Sequence, residues 1–355
     1  MFKYNTKASD YHSSILHAPP YIAPYAKEHE SPNGPCDARP TALQAVRDLG
    51  MEGILSKKAM LITGGSSGIG IEMARALHAT GAKIFITTRS EENGKSAVDQ
   101  VLRSSDRKDG IEAIVMDNES LASVRAAAED FLTKSPQLNV LITNAGVMAT
   151  PESRTKDGFE MQFGVNHLAH FYLFQLLRPA MLKSSKPGFA SSVVVVSSEG
   201  HRNGPVQFDN INLENGKYNP WLAYGKSKTA TIYMANYIER HFGSQGLHAN
   251  PLNPGGISST GLYKNVDPEI MKGWQQPDAM KHAKSPEQGA NTSVWAAIAK
   301  DLEGVGGQWL EDCQTCGLKR DDAGPFDIGY AHWAFDDESE ERLWKLSNEL
   351  VGFKE

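Results

Sequence analysis

Cysteine is scarce, with Cys36, Cys313 and Cys316 the full complement in 355 residues. Three thiols cannot build a disulfide framework, and so low a count fits a reducing, cytoplasmic setting. Cys313 and Cys316 have C-x-x-C spacing, but zinc would need two more ligands at matching spacing and none is evident. Basic charge is not in excess either. The 36 Lys and Arg stand against 42 Asp and Glu, a net charge of -6, and no basic stripe stands out. Nucleic acid is therefore not expected as a partner. Long apolar runs are also missing. The most apolar stretch, 163–182, is interrupted by Asn166, His167, His170, Gln175 and Arg178, too polar for a membrane span and suited to a buried helix. The N-terminus has no basic start followed by an apolar run, so no secretory leader is expected.

What is present is an ordinary globular composition, 40% hydrophobic and 22% charged, long enough for one large α/β domain or two small ones. Residues 1–56 are rich in Pro19-Pro20, Pro24, Pro32, Gly34-Pro35 and Pro40. They read as an irregular extension with one short helix near 41–50, draped over the main domain. From Lys57 onward strands and helices alternate, and 57–355 reads as one domain. Strands are expected at 59–63, 83–87, 111–116, 139–143 and 192–197, with helices between them, a long one at 157–182 and another at 222–241. This alternation predicts a Rossmann-type, doubly wound parallel β-sheet with helices on both faces.

The first strand runs into "TGGSSGIG", Thr63 to Gly70, which opens the first helix of the alternating unit. Gly64, Gly68 and Gly70 stand where a tight turn, a close approach of backbone to pyrophosphate and close helix packing call for glycine. The helix start then offers unsatisfied N–H groups to phosphates, so a dinucleotide is the expected ligand. At the end of the second strand a carboxylate would suit the ribose of NAD, whereas an arginine suits the 2′-phosphate of NADP. Arg89 stands there without an acid before it, and Ser66 and Ser67 supply further donors, so NADP(H) is expected over NAD(H).

"LAYGKSKTA" places Tyr224 and Lys228 one helical turn apart on one face. Alone, the pair is equally a solvated surface contact and an acid/base catalyst. Together with the other segments, the chain resembles the short-chain dehydrogenase/reductase family over about residues 57–320. Thr63–Gly70 has the glycine spacing of its single-domain members, and Asn144-Ala145-Gly146, Asn166, Ser198, Tyr224, Lys228 and Pro254-Gly255 match its motifs in order. "FGVNHLAHF", "SSEGH" and the 26-residue interval from Ser198 to Tyr224 look like the retinol dehydrogenase-like branch, and "GLYKNV" and "LWKLSNELVG" look similar to fungal members, often found in secondary metabolism.

The resemblance implies catalytic Ser198, Tyr224, Lys228 and Asn166. It implies adenine contact by Asp117 and ribose contact by Asn144, Ala145 and Gly146, with Ile69, Pro254, Gly255, Ile257 and either Ser259 or Thr260 completing the cofactor site. Lys228 and the oxidised nicotinamide would lower the Tyr224 phenol toward working range. Helices 157–182 and 222–241 pair subunits in many relatives, so a homodimer is an open expectation. Pro251 should shorten or bulge the sixth strand. A lid at about 256–285, carrying Leu262, Tyr263, Met271, Trp274 and Met280, points to an apolar small-molecule substrate, although those side chains equally suit packing the lid down. His201 reads as a solvated loop histidine. Two rivals remain. An extended-branch epimerase or dehydratase would need glycine at Ser67, and a redox-sensing NADP-binding regulator would be expected to lose one of Ser198, Tyr224 and Lys228.

Overall fold

A computed structural model describes residues 21–354. The reading of the first proline-rich residues, including Pro19-Pro20, lies outside the described residues. Eight strands form one sheet in the order β3-β2-β1-β4-β5-β6-β7-β8. They are β1 (Ala59–Ile62), β2 (Lys83–Thr88), β3 (Ile111–Val115), β4 (Val140–Thr143), β5 (Ser191–Val196), β6 (Leu247–Asn253), β7 (Trp309–Glu311) and β8 (Gln314–Cys316). All pairings are parallel except the final β7–β8 hairpin. The helices that cover the sheet are α1 (Ala42–Asp48), α2 (Gly68–Ala79), α3 (Glu91–Arg103), α4 (Leu121–Lys134), α5 (Ala169–Ser184), α6 (Pro220–Phe242), α7 (Asn291–Ile298) and α8 (Asp337–Val351).

Strand alternation sorts the core into two layers. Met60, Ile62, Ile84, Ile86, Val140, Ile142 and Val194 face Val46 of α1, Met73 and Leu77 of α2, Val101 of α3 and Trp295 of α7. Leu61, Phe85, Leu141, Val193 and Val195 face Phe131 of α4, Phe171 and Leu177 of α5, Tyr233 of α6 and Trp344 of α8. Because both faces are covered, the central strands are apolar throughout, as buried parallel strands must be.

Two expectations are corrected, and some elements were not expected at all. The long helix starts at Met161 rather than 157, because Gly158 turns the chain (φ 86°) and the Glu160 carboxylate caps the N–H groups of Gln162 and Phe163 at 2.8 and 2.7 Å. Pro251 neither shortens nor bulges β6, which pairs with β5 from Leu247 to Leu252. The Leu252 carbonyl accepts from Ser197 on the β5 side, so by alternation Pro251 turns its missing donor toward β7, whose register begins only at Leu252. Finally, β7, β8 and α8 went unpredicted.

α8 meets the two helices named for the expected dimer. Trp344 packs edge-on to Phe171 (4.8 Å) and stacks on Tyr237 (3.9 Å), while His167 meets Ser347 at 2.8 Å and Asn236 donates to Glu340 at 2.8 Å. The chain's own C-terminal helix thus packs against α5 and α6.

Residues 21–56 join the first layer through Ile22, Tyr25, Ala42, Val46, Met51 and Leu55. Thr41 caps α1 by accepting from Gln44 at 3.2 Å. Ile22 exchanges backbone and hydroxyl hydrogen bonds with Thr315 of β8. The buried Arg39 guanidinium donates to the carbonyls of His282 (3.1 Å) and Ala283 (2.6 Å), fastening this segment to the base of the lid. Among the described residues, no helix is long and apolar enough to cross a membrane.

Candidate active site

A cleft of about 1720 Å³ opens along the C-terminal ends of β1, β2, β4, β5 and β6, where parallel sheets bind ligands. Its phosphate end is the turn from β1 into α2. Gly64 adopts left-handed backbone (φ 67°), and a Cβ on Gly70 would run into the Gly64 carbonyl. Thr63 ties this loop to the segment after β4: its Oγ1 accepts from the N–H groups of Asn144 (2.9 Å) and Ala145 (3.0 Å). With both lone pairs engaged, the Thr63 hydroxyl donates to His170 Nε2 at 2.9 Å. Asn144 in turn donates to the carbonyl of Thr63 at 2.9 Å. The N-terminus of α2, the glycines at 64, 68 and 70 and the lining by Ser66, Ser67, Gly68 and Ile69 fit a dinucleotide pyrophosphate.

At the end of β2, Arg89 lines the cleft, is exposed and makes no hydrogen bond or ion pair among the described residues. Asp117 also lines the cleft, but both its oxygens are engaged, Oδ1 by the Glu119 N–H at 3.0 Å and Oδ2 by Lys156 at 2.7 Å. Burial raises the Asp117 carboxyl, yet the hydrogen bonds from Lys156 and the Glu119 N–H and the charges of Lys156 and Arg89 together outweigh it and hold the group below its usual range.

Toward the other end, Ser198, Tyr224, Lys228 and Asn166 come together. Tyr224 and Lys228 are 4% and 5% exposed, so the surface-pair reading is excluded. Lys228 Nζ donates to the Val196 carbonyl at 2.9 Å and lies 5.8 Å from the centre of the Tyr224 ring. Burial pulls its ammonium down to about 8. The same burial pushes the Tyr224 phenol up, opposed by a hydrogen bond with Ser198. The lysine is engaged with a carbonyl rather than with the phenol, and the lowering expected from the sequence belongs to the site with oxidised nicotinamide bound. Asn166 lies in a π-helical turn, Gly164–Leu168, between the Met161 turn and α5. Its side chain bridges three elements, donating to Ser227 (2.9 Å) and Val147 (3.0 Å) and accepting from the Val147 N–H (2.9 Å). Such turns occur often at functional sites, and this one carries Asn166 to within 3.2 Å of where a Cβ on Gly146 would stand.

After β6, Pro254, Gly255, Ile257 and Thr260 line the cleft, and Thr260 abuts Gly68. Ser259 is exposed and does not line it, so of the two candidates Thr260 is the one beside the glycine loop. The lid folds into short helices, Pro268–Trp274 and Pro277–His282. Trp274 packs edge-on to Trp221 (5.6 Å) and Tyr263 (5.7 Å), and Met148, Leu262, Val266 and Met271 complete an apolar cluster around Tyr224.

His201 is not solvated. It accepts from the Ala331 N–H at 3.0 Å through Nε2, so Nδ1 carries the proton and donates to the Ser198 carbonyl at 2.7 Å. Burial pulls it down to about 3. Sequence reading also missed His170, whose Nδ1 meets the Asn166 carbonyl at 2.9 Å, and Lys284, which reaches Asp312 at 2.5 Å and the Pro254 carbonyl at 3.2 Å. No local motif marks either residue. The two cysteines belong to the β7–β8 hairpin, where burial pushes the Cys313 thiol up to about 12.

A glycine-loop turn at one end of a Rossmann cleft and a half-buried serine beside a buried tyrosine and lysine at the other fit an α/β oxidoreductase of the nicotinamide-dependent type. Comparison with known proteins agrees. The short chain dehydrogenase family model matches residues 58–270, and the chain belongs to that family, whose members bind a nicotinamide cofactor. It is 48% identical over 332 residues to Short-chain dehydrogenase/reductase prx1 of Penicillium roqueforti, covering 93% of this chain and 96% of the relative. It is 35% identical over 323 residues to human Retinol dehydrogenase 14, covering 87% and 91%. Among solved structures, an uncharacterized protein from Mycobacterium paratuberculosis superposes with a TM-score of 0.64 at 29% identity, covering 86% of this chain and 97% of that one. The likeness to fungal members and to the retinol dehydrogenase-like branch is thereby borne out.

Proposed function

We propose that the chain is an NADP(H)-dependent oxidoreductase that interconverts a carbonyl and an alcohol on an apolar small molecule. The observation that carries this reading is the burial of Tyr224 and Lys228 beside the half-buried Ser198, all three lining the cleft that begins at the glycine loop. When bound, the nicotinamide supplies or accepts the hydride. The protein's part is positioning and proton transfer. A phenol held neutral by burial is a proton donor for a carbonyl oxygen as that oxygen gains negative charge, which favours the reducing direction. Ser198 donates to the same oxygen, and Lys228 holds positive charge nearby. Gly64, Ser66, Ser67, Gly68, Ile69 and Gly70 would hold the pyrophosphate, and Thr260 lies against that loop.

The unpaired Arg89 and the lack of an acid at the end of β2 support NADP(H) over NAD(H). The Trp221, Trp274, Tyr263 and Leu262 cluster over Tyr224 supports an apolar substrate of fair size. Resemblance to fungal members supports ketone or aldehyde reduction in secondary metabolism, and the low cysteine count supports a reducing, cytoplasmic setting. The test is NADPH oxidation across a panel of apolar ketones and aldehydes, with NADPH affinity measured separately. Turnover supports the reading. Tight NADPH binding with no turnover on a broad panel would favour a cofactor-sensing regulator instead.

A further inference from the structure

Arg202 lines the same cleft as Ser198 and Tyr224, four residues after the serine, and the chemistry described so far does not use it. Its guanidinium is fixed from one side. Nε and Nη2 donate to the Gly329 carbonyl at 3.1 and 2.6 Å, and Nη2 also meets Glu311 Oε2 at 3.3 Å. Glu311 is itself anchored, accepting from Asn253 (2.7 Å), the Trp309 indole (2.9 Å) and the Gly329 N–H (2.7 Å). The other edge of the guanidinium is different. Nη1 makes no hydrogen bond among the described residues, and its nearest acid is Glu199 Oε2 at a loose 3.7 Å. Yet Nη1 is not among the buried polar atoms without a partner, so that edge is accessible. The Arg202 side chain is 18% exposed and that of Glu199 56%.

Glu199 places this edge on the substrate side. Glu199, Tyr224 and Tyr263 line the same cleft, and burial raises both phenols with a smaller contribution from the Glu199 carboxylate. A rigidly held arginine whose Nη1 keeps free N–H groups can take a carboxylate oxygen by a charge-assisted hydrogen bond.

We propose that Arg202 is a substrate-recognition residue whose open edge binds a carboxylate on the carbonyl compound served by Tyr224, with Glu199 standing near that edge until the substrate displaces it. This rests on the oxidoreductase reading above and deepens it: the substrate is an apolar carbonyl compound bearing one acidic group.

The experiment compares acetylbenzoate isomers with their methyl esters, measured as calorimetric affinities for the NADPH complex and as kcat/KM. Wild type should favour at least one acid over its ester by about tenfold or more, as a charge-assisted contact to a fixed arginine requires. Arg202→Gln should collapse that ratio. A purely structural arginine would instead weaken acid and ester alike. Should Arg202→Gln fail to fold, Glu199→Gln decides, since it leaves the Gly329 and Glu311 anchors in place. Removing the competing carboxylate should raise the acid-to-ester ratio. An unchanged or lowered ratio in Glu199→Gln, a ratio near one in wild type, or a ratio that survives Arg202→Gln overturns the inference. Turnover without acid preference counts against this inference alone. Acid preference in binding with no turnover counts against the oxidoreductase reading alone.

Discussion

The Lys228 ammonium lies one helical turn from Tyr224, 5.8 Å from the centre of its ring, yet donates to the Val196 carbonyl rather than to the phenol. The lysine is thereby fixed in place beside the tyrosine without drawing off its proton. The resulting site holds a neutral acid next to a cation, which is the protonation state that carbonyl reduction needs.

Cofactor choice follows from Arg89. Arg89→Asp should raise the Kd for NADPH by about ten- to a hundredfold, the worth of a charge-assisted contact plus new repulsion, and change that for NADH much less. Fluorescence titration with both cofactors measures it. Equal affinity of the unmodified protein for NADPH and NADH would contradict the NADP assignment.

A methyl group at Gly200 should disable the chemistry while leaving the fold intact. A Cβ there would stand 2.6 Å from Cε1 of the Tyr224 ring and 3.3 Å from Ser198 Oγ. Gly200→Ala is expected to cost about 1–3 kcal/mol of stability through overpacking and to lower kcat more than it raises KM. Wild-type kcat in Gly200→Ala would mean that the ring position is not critical.

How much of this was legible beforehand depended on how local each signal was. Thr63–Gly70, Tyr224 and Lys228 announce themselves because the turn and the helix that set them are encoded within a few residues. Arg202, His170 and Lys284 do not, since each meets partners outside its own local segment: Gly329 for Arg202, Thr63 for His170, and Asp312 and Pro254 for Lys284. Pro251 misled because proline excludes only one hydrogen bond, and its cost depends on which neighbour lies on that side. β7 and β8 are three residues each, too short to show a period.

Acid should weaken the fold. Burial pulls the imidazoles of His167 and His201 down to about 3 and that of His170 down to about 4 from an ordinary 6.5. Between those values and 6.5 the unfolded chain binds more protons than the native one, so stability is full above about pH 6.5 and falls as pH drops. The loss at about pH 5 is on the order of 1–2 kcal/mol for each histidine. Urea unfolding at about pH 7.5 and about pH 5 should show it. Equal midpoints would contradict the buried, neutral state of these rings.

Trp344→Ala should cost about 3–5 kcal/mol, because its ring fills the space between Phe171 and Tyr237. It should also uncover apolar surface on α5 and α6 and promote self-association at high concentration. Light scattering and thermal melts check both effects. A variant as stable as wild type would mean that α8 does not seal that face.

The most direct test of the account is Tyr224→Phe, which removes one hydroxyl and keeps the ring. NADPH-dependent turnover of any carbonyl compound the wild type reduces should fall by at least about a hundredfold, the usual worth of a positioned general acid, while the Kd for NADPH stays within about twofold. Turnover near the wild-type rate in Tyr224→Phe would contradict the account.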